Sequence, residues 1–326
     1  MKPLARVPLA YWMAAVALVG CDASAPSLGP STTVAARPLA GAKNTPLLYV
    51  AADYGSTVVN IYTYPKVKFV GRVKSDESFA RVCSDPKTGH VFVSQNNGLD
   101  EYQRGETTKI ATLAAPEGYT QLLGCSIDPF SGDVAAVAYE SKGGLLIYPH
   151  GTGTPVVYSD SSIHAYYYCS YDESGNVFVL GYGVGSKYIT SVFTELPKGG
   201  NAFRDIAMPF IGYPQKLQWD GKYIALNEGG TIYQMHVSGS TGTIVGTTRL
   251  IGDTEAAGGT VWITGDTVLG PHGGEGARRV GTWNYPAGGD PSNVTPNVAR
   301  KHSIISDINL SEPPQSDTSR NPGLKP

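Results

Sequence analysis

CSDPKTGHVFV at residues 83–93 is followed by CSIDPFSGDVAA at 125–136 and CSYDESGNVFV at 169–179, three versions of one pattern. Within it, Gly89, Gly132 and Gly175 are separated by 43 residues each time. A fixed period near forty residues is typical of a repeat architecture. The repeat by itself therefore predicts the class of fold, without reference to the role of any single residue.

Each repeat predicts several short strands. A first strand ends at the Cys-Ser pair, an Asp/Gly turn follows, and alternating apolar residues such as those of 91–93 predict a second strand. A third strand then ends in a Tyr-Pro-Gly-like motif. Six such endings are found, at 64–66, 102–105, 148–151, 196–199, 236–239 and 285–288. Six first strands are predicted as well, at 79–84, 121–126, 165–170, 214–219, 258–263 and 302–307.

The two ends of the repeat region complement each other. Residues 47–50 match a second strand, so the first repeat lacks its own first strand, and the surplus strand at 302–307 can supply it. We predict an all-β fold, a six-bladed β-propeller with four-stranded blades, closed by the C-terminal strand joining the N-terminal blade. Closure removes open sheet edges.

Composition agrees with an all-β chain and excludes one class of partner. The 326 residues include 40 Gly, 23 Pro and 20 Tyr, and only 16% are charged. A helical bundle has far less Gly. The formal net charge is −2, and no basic stretch marks a nucleic-acid-binding surface.

The N-terminus has the features of an export signal. Lys2 and Arg6 precede a mostly apolar run over 7–19, too short for an ordinary membrane span. The following Leu-Val-Gly-Cys, ending at Cys21, resembles the lipobox of bacterial lipoproteins, which implies lipidation of Cys21 after removal of residues 1–20. The alternative is an ordinary signal peptide cut after Ala25.

The resemblance to lipoproteins implies a place in the cell. Residues 21–46 are rich in Pro, Ser and Ala and read as a lipid-anchored tether, at most about 80 Å long. The propeller is predicted at 47–310 and a disordered tail at 311–326. We expect an extracytoplasmic chain on the periplasmic face of a bacterial membrane. Asp22 resembles an inner-membrane retention signal, but inner and outer membrane both remain open.

The cysteines of the repeat receive a structural interpretation. Cys83, Cys125 and Cys169 occupy equivalent places, and three cysteines cannot all pair. We expect no disulfide framework and interpret them as small apolar side chains filling the same niche.

The repeats resemble the NHL-repeat and gluconolactonase-like six-bladed propellers, through x-Asp-x-x-Gly-x-Val-x-Val and Tyr-Pro-x-Gly. The resemblance implies a ligand site where first strands begin and second strands join third strands. The candidate residues for this channel mouth are Arg81, Asn96, Gln121, Glu140, His164, Tyr166, Gln215, Asn227, Glu228, His272 and His302. For Tyr166 we weigh a stacking surface at the mouth against packing between blades.

No catalytic constellation, cofactor motif or metal motif is found in the sequence. A lactonase of the gluconolactonase type would need oxygen ligands in the channel, for which Asp53, Asn96, Asn227 and Glu228 are the right types, but the family's ligand motifs are missing. A propeller lyase would need a channel histidine as base. We predict a non-catalytic module that binds a small ligand, a peptide or an envelope protein. A metal-dependent lactonase or esterase is the alternative, and a structural part of an envelope assembly is a third.

Overall fold

The computed structural model describes residues 44–53, 57–183, 191–209, 211–252, 260–273, 277–300 and 303–314. These residues form 24 strands in six antiparallel sheets of four, with one 3-10 turn at Pro149–Gly151. The predicted leader, Cys21, the tether up to residue 43 and residues 315–326 of the predicted tail lie outside this range.

The first twelve strands follow the chain in order. They are β1 (Leu47–Asp53), β2 (Thr57–Thr63), β3 (Phe69–Ser75), β4 (Val82–Ser84), β5 (Val91–Gln95), β6 (Gly98–Tyr102), β7 (Lys109–Ala114), β8 (Tyr119–Ile127), β9 (Val134–Ser141), β10 (Gly144–Tyr148), β11 (Val156–Tyr158) and β12 (Ile163–Tyr171).

The other twelve continue to the end of the propeller. They are β13 (Val177–Gly183), β14 (Ser191–Leu196), β15 (Arg204–Asp205), β16 (Lys216–Trp219), β17 (Ile224–Glu228), β18 (Thr231–Ser238), β19 (Thr241–Arg249), β20 (Trp262–Thr264), β21 (Thr267–His272), β22 (Arg279–Asn284), β23 (Asn293–Val294) and β24 (Ile304–Ser311).

Each sheet is one blade, and the blades confirm the predicted propeller. Blade 1 has the order β24-β1-β2-β3, and blades 2 to 6 take four consecutive strands each, from β4–β7 to β20–β23. The last strand closes the ring as predicted, because β24 pairs with β1 from Leu47↔Ser311 to Asp53↔Ile304. It runs four residues further than the predicted 302–307.

The apolar core lies between blades, and strand alternation explains why. Six clusters of buried residues are present among the described side chains, one at each blade interface. On β5, Val91 and Val93 face blade 1, whereas Phe92 faces blade 3. Successive side chains of a strand point to opposite faces of the sheet. A sheet with two apolar faces therefore needs a neighbouring sheet packed against each face. In a closed ring, every blade packs against one neighbouring blade on each face.

The repeated turn has the chemistry that the pattern predicts. The Oδ1 atom of Asp85, Asp128, Asp172 or Asp220 accepts a backbone N–H two residues further on, at 2.8 Å in each case. Gly89, Gly132 and Gly175 take φ values of 73°, 76° and 82°, which disfavour any other residue. The 43-residue period therefore marks one turn, repeated between the first two strands of successive blades.

Candidate functional site

The innermost strands β24, β4, β8, β12, β16 and β20 surround a central channel, and bonds join neighbouring strands all round it. Taken from blades 1 and 2 onward, these are Ser84 Oγ to Asn309 Oδ1 (3.0 Å), the Cys83–Cys125 disulfide, Tyr171 N to Ser126 Oγ (3.0 Å), Trp219 N to Ser170 Oγ (2.9 Å), Ile263 N to Gln218 Oε1 (2.9 Å) and Thr260 Oγ1 to Asp307 Oδ1. We call this set the channel belt. Every blade interface contributes one link, so the channel wall is held as one ring.

A buried ion pair crosses the channel. Lys216 on blade 5 donates from Nζ to Asp307 Oδ1 on blade 1 at 2.9 Å. Asp307 is fully buried, and its Oδ2 accepts the backbone N–H of Val82 at 2.8 Å. Blade 6 separates blades 5 and 1, so the contact runs through the channel itself. The carboxylate thus has a charged donor on Oδ1 and a neutral donor on Oδ2, so both oxygens are satisfied, as a buried charge requires.

Arg81 makes a second connection across the channel. Its guanidinium donates from Nη1 to the Ser306 carbonyl and from Nη2 to the Tyr168 hydroxyl at 3.3 Å. The same guanidinium lies 5.6 Å from the centre of the Tyr168 ring. Burial raises the pKa of Tyr168, and the nearby Arg81 opposes that rise. The Tyr168 hydroxyl stays neutral and serves as an acceptor in the channel wall.

A cavity of about 300 Å³ opens where the innermost strands end, on what we call the downstream face. Its wall comes from all six blades. The residues that give it its chemistry are Cys83, Cys125, Cys169, Tyr171, Lys216, Trp219, Trp262, Ser311, Asp85, Asp172 and Glu312. We call it the channel cavity. Its size and its aromatic walls with a few polar groups are those of small-molecule sites.

Two hydroxyls in the cavity wall lack a partner. The Tyr171 OH and Ser311 Oγ atoms are buried, and neither has a hydrogen-bond partner among the described residues. Burial raises the pKa of Tyr171, so its hydroxyl is neutral. Buried polar groups without partners are rare in native structures. Both oxygen atoms are nearly inaccessible, so they lie inside the packed wall and are not contacts for a ligand in the channel cavity.

The cysteines correct the expectation from sequence. Cys83 and Cys125 form a disulfide, although we expected no disulfide framework, and the third cysteine of the described residues, Cys169, is free and buried. Equivalent positions on neighbouring innermost strands lie side by side, with Cα atoms 5.8 Å apart for this pair, which is within disulfide range. Burial raises the pKa of the Cys169 thiol to about 12, with Lys216 opposing, so the thiol is protonated and unreactive.

Five of the predicted mouth residues lie on the opposite, upstream face, where innermost strands begin: Asn96, Gln121, Gln215, Asn227 and Glu228. On blades 2 and 3, the Gln121 N–H donates to the Asn96 carbonyl at 2.9 Å. On blade 5, Gln215 binds the Asn227 backbone and Glu228 accepts the Tyr213 N–H at 2.8 Å. These are two separate groups, and none of the predicted residues within the described part of the chain lines the channel cavity.

The remaining candidates are scattered. His164 is exposed, and the ring of half-buried His272 lies 6.0 Å from that of Trp283. Burial and then Arg279 lower the pKa of His272, so its imidazole is neutral at neutral pH. His302 and the side chain of Glu140 lie outside the described residues. The structure therefore brings only some of the candidates together.

For Tyr166 the packing alternative holds. Its ring is buried in the cluster between blades 3 and 4, and its hydroxyl accepts the Asp160 N–H at 2.6 Å. The register of β12 shifts between Tyr166 and Tyr168, which leaves Tyr167 as an extra residue. Such a bulge breaks the alternation used to assign faces. Tyr167, not Tyr166, is the half-exposed ring on the upstream face.

Tyr167 belongs to a row of tyrosines that crosses blades 3, 4 and 5. Its ring lies 4.9 Å from that of Tyr139 and 4.6 Å from that of Tyr182, and the Tyr182 ring lies 6.1 Å from Tyr213. The ring planes meet at 64–75°, the edge-to-face geometry that aromatic pairs favour. This row is the principal aromatic feature of the described upstream face.

The oxygen ligands considered for a lactonase do not meet. The amide nitrogen of Asn96 donates to the Asp76 carbonyl at 2.8 Å on one side of the ring, and that of Asn227 donates to the Gly229 carbonyl at 2.7 Å on the other. Across the described residues, no three His, Cys, Asp or Glu side chains are grouped so as to hold a metal ion. Likewise, no helix in the described part is long and apolar enough to cross a bilayer.

The fold and the channel define a six-bladed β-propeller, and solved structures of this shape exist. No family model matches the sequence, and no curated protein matches it. One chain in a crystal structure of a nidogen/laminin complex aligns with a TM-score of 0.63 at 10% identity, over 83% of this chain and 99% of that one.

Two further structures are similar. A protein of unknown function from Bacteroides caccae aligns with a TM-score of 0.60 at 14% identity, over 82% of this chain and 99% of that one. The structure of U3-55K aligns with a TM-score of 0.52 at 8% identity, over 77% and 80% of the two chains. At such identities, the likeness shows the fold alone.

Proposed function

We propose that this protein is a lipid-anchored, extracytoplasmic propeller that binds a small ligand in the channel cavity without converting it. The observation that carries the proposal is the cavity itself, with the aromatic residues Trp219 and Trp262 in a wall fixed by the channel belt. A rigid, preformed cavity favours binding because little ordering is needed when the ligand arrives.

Two features support the proposed extracytoplasmic location. The Cys83–Cys125 disulfide is of a kind that persists in oxidising compartments, such as the periplasm, and is rare in the cytosol. The lipobox-like ending at Cys21 supports an anchor, and several acyl chains on one residue hold a protein firmly at a membrane.

Non-catalytic binding is supported by the groups available in the cavity. In the described cavity wall, the thiol of Cys169 is protonated and the ammonium group of Lys216 is paired with Asp307. A nucleophile needs a lowered pKa or an adjacent base. The cavity wall offers a ligand shape, aromatic surface and hydrogen bonds.

Replacing Cys21 with serine should move the protein from the membrane pellet to the soluble extracytoplasmic fraction and abolish incorporation of labelled palmitate. The reason is that the Cys21 thiol is the only proposed point of lipid attachment. Cell fractionation with immunoblotting measures this, and Ser24→Ala is the control that should stay in the membrane. If the Cys21→Ser variant and the original protein fractionate alike, and the mature chain starts at Pro26, the ordinary signal peptide is established instead.

Dansylamide, a neutral fluorescent probe with a planar apolar body, should bind to the channel cavity and increase its emission. Trp219→Leu should weaken this binding by roughly tenfold, because an aromatic wall contributes about 0.5–1.5 kcal/mol beyond its area. Fluorescence titration measures the affinity. Phe130→Leu is the control, since Phe130 is 62% exposed on the same face but does not line the cavity. Equal effects of the two substitutions would refute binding in the cavity.

A further inference from the structure

The charges around the channel cavity are mostly negative. Asp85, Asp172 and Glu312 line it, and Lys216 is the one basic residue in its described wall. The Lys216 charge is already opposed at 2.9 Å by Asp307, which lies behind the wall. Three carboxylates therefore line the cavity against one paired ammonium group, while the Arg104 guanidinium near Glu312 lies outside the wall and donates to the Ser311 carbonyl at 3.0 Å. A cleft lined by one sign of charge attracts ligands of the other.

The carboxylates lie at the opening of the cavity. Asp85 and Asp172 begin the turns that leave β4 and β12, and Glu312 directly follows the end of β24. Asp172 is fully engaged by its own turn, through Ser174 and Asn176. Glu312 is exposed. The nearby Lys87 extends instead to the Phe130 carbonyl (2.6 Å) and does not line the cavity.

The inner wall offers surfaces that also suit a cation. Half-buried Trp219 and Trp262 present aromatic rings, whose faces carry partial negative charge. The Lys216 Nζ atom lies 5.7 Å from the centre of the Trp262 ring, so one cation already makes this kind of contact in the cavity wall.

The hydroxyls that lack partners are not ligand contacts, because the Tyr171 and Ser311 oxygens are inaccessible inside the wall. Selection by charge therefore comes from the carboxylates at the opening and from the aromatic walls.

We propose that the ligand of the channel cavity is a small cationic amphiphile, whose apolar or planar body lies between the aromatic rings and whose amine or ammonium group faces the carboxylates at the opening. This inference rests on the proposed function, because it assigns a ligand class to the same cavity. Aromatic rings combined with carboxylates are a known means of recognising ammonium ligands.

Three dansyl compounds of similar body and different charge test the inference on the full-length protein in detergent. They are dansylethylenediamine (cationic), dansylamide (neutral) and dansylglycine (anionic). The cation should bind at least about tenfold more tightly than the anion at low ionic strength. The difference should shrink several-fold between about 0.01 and 1 M salt, where the screening length falls from about 30 to 3 Å.

Two variants locate the effect. Glu312→Gln combined with Asp85→Asn should lower the ratio of the cation's affinity to the anion's affinity several-fold. Asparagine at 85 keeps an Oδ1 acceptor for the Lys87 N–H, so the turn is retained. Glu117→Gln is the matched control, because Glu117 is an exposed carboxylate outside the cavity, in the loop between β7 and β8.

The outcomes separate the two proposals. Preference for the cation that falls with salt and in the double variant supports the inference. Equal binding of all three compounds, or tighter binding of dansylglycine, overturns the ligand class and leaves cavity binding intact. Binding of none of the three overturns both proposals.

Discussion

Replacing Lys216 with methionine is expected to lower the free energy of unfolding by about 3–5 kcal/mol, because the substitution leaves the fully buried Asp307 carboxylate without its cation. Val82 N and Thr260 Oγ1, which also donate to Asp307, are neutral. Urea denaturation at neutral pH measures the change, as a shift of the midpoint at constant slope.

Two companion variants identify the cause. Lys222→Met removes an exposed lysine from the same blade and should change stability by no more than about 0.5 kcal/mol. Adding Asp307→Asn to Lys216→Met should recover part of the loss, because no buried charge is then left unpaired. A Lys216→Met protein as stable as Lys222→Met would show that the ion pair does not hold the channel.

Removing the disulfide by Cys83→Ser together with Cys125→Ser is expected to cost about 4 kcal/mol. The bond closes a segment with a sequence separation of 42 residues, and a loop of that length restricts the unfolded chain by roughly this amount. The two cysteines also provide the belt link between blades 2 and 3. Denaturation with and without reductant measures the effect, which should be present only under oxidising conditions.

Cys169→Ala is the matched control for the disulfide. Cys169 has the equivalent position on blade 4 but is a free thiol, so its loss should cost about 1 kcal/mol and should not depend on reductant. With Cys21 lipidated, as proposed above, thiol titration of the denatured protein should find one thiol before reduction and three after it. Three thiols without reduction would contradict the pairing.

The fold was predictable from sequence because the repeat period, the strand alternation and the match between the two chain ends all predict the same closed ring of blades. The 43-residue period marks a repeated turn, the alternation in segments such as 91–93 places side chains on both blade faces, and the surplus strand near 302 matches the gap before residue 47. A ring is the arrangement in which all of these apolar faces are buried.

Contacts between blades were not predictable in the same way. The repeat shows that Cys83, Cys125 and Cys169 are equivalent, but not how far apart equivalent positions lie, and that distance decides the disulfide. The bulge at Tyr167 is also invisible to a two-residue period, which led to Tyr166 as the candidate for the upstream surface.

The channel cavity was missed for a related reason. The mouth was assigned by resemblance to the face where innermost strands begin, whereas the described cavity opens where they end. Its wall includes the Cys-Ser segments that define the repeat, together with Trp219 and Trp262 at the ends of other innermost strands. These aromatic residues at strand ends were the sequence feature that could have indicated the cavity.

The pairing of β1 with β24 has a consequence for the order of assembly. A chain made from its amino end begins blade 1 first and completes it last, because Leu47–Asp53 waits for Ile304–Ser311 to emerge. During that interval one side of β1 is a bare edge, to which the last strand of another copy can add. Incompletely folded copies at high density are thus exposed to strand exchange, and a truncation before residue 304 makes that exposure permanent.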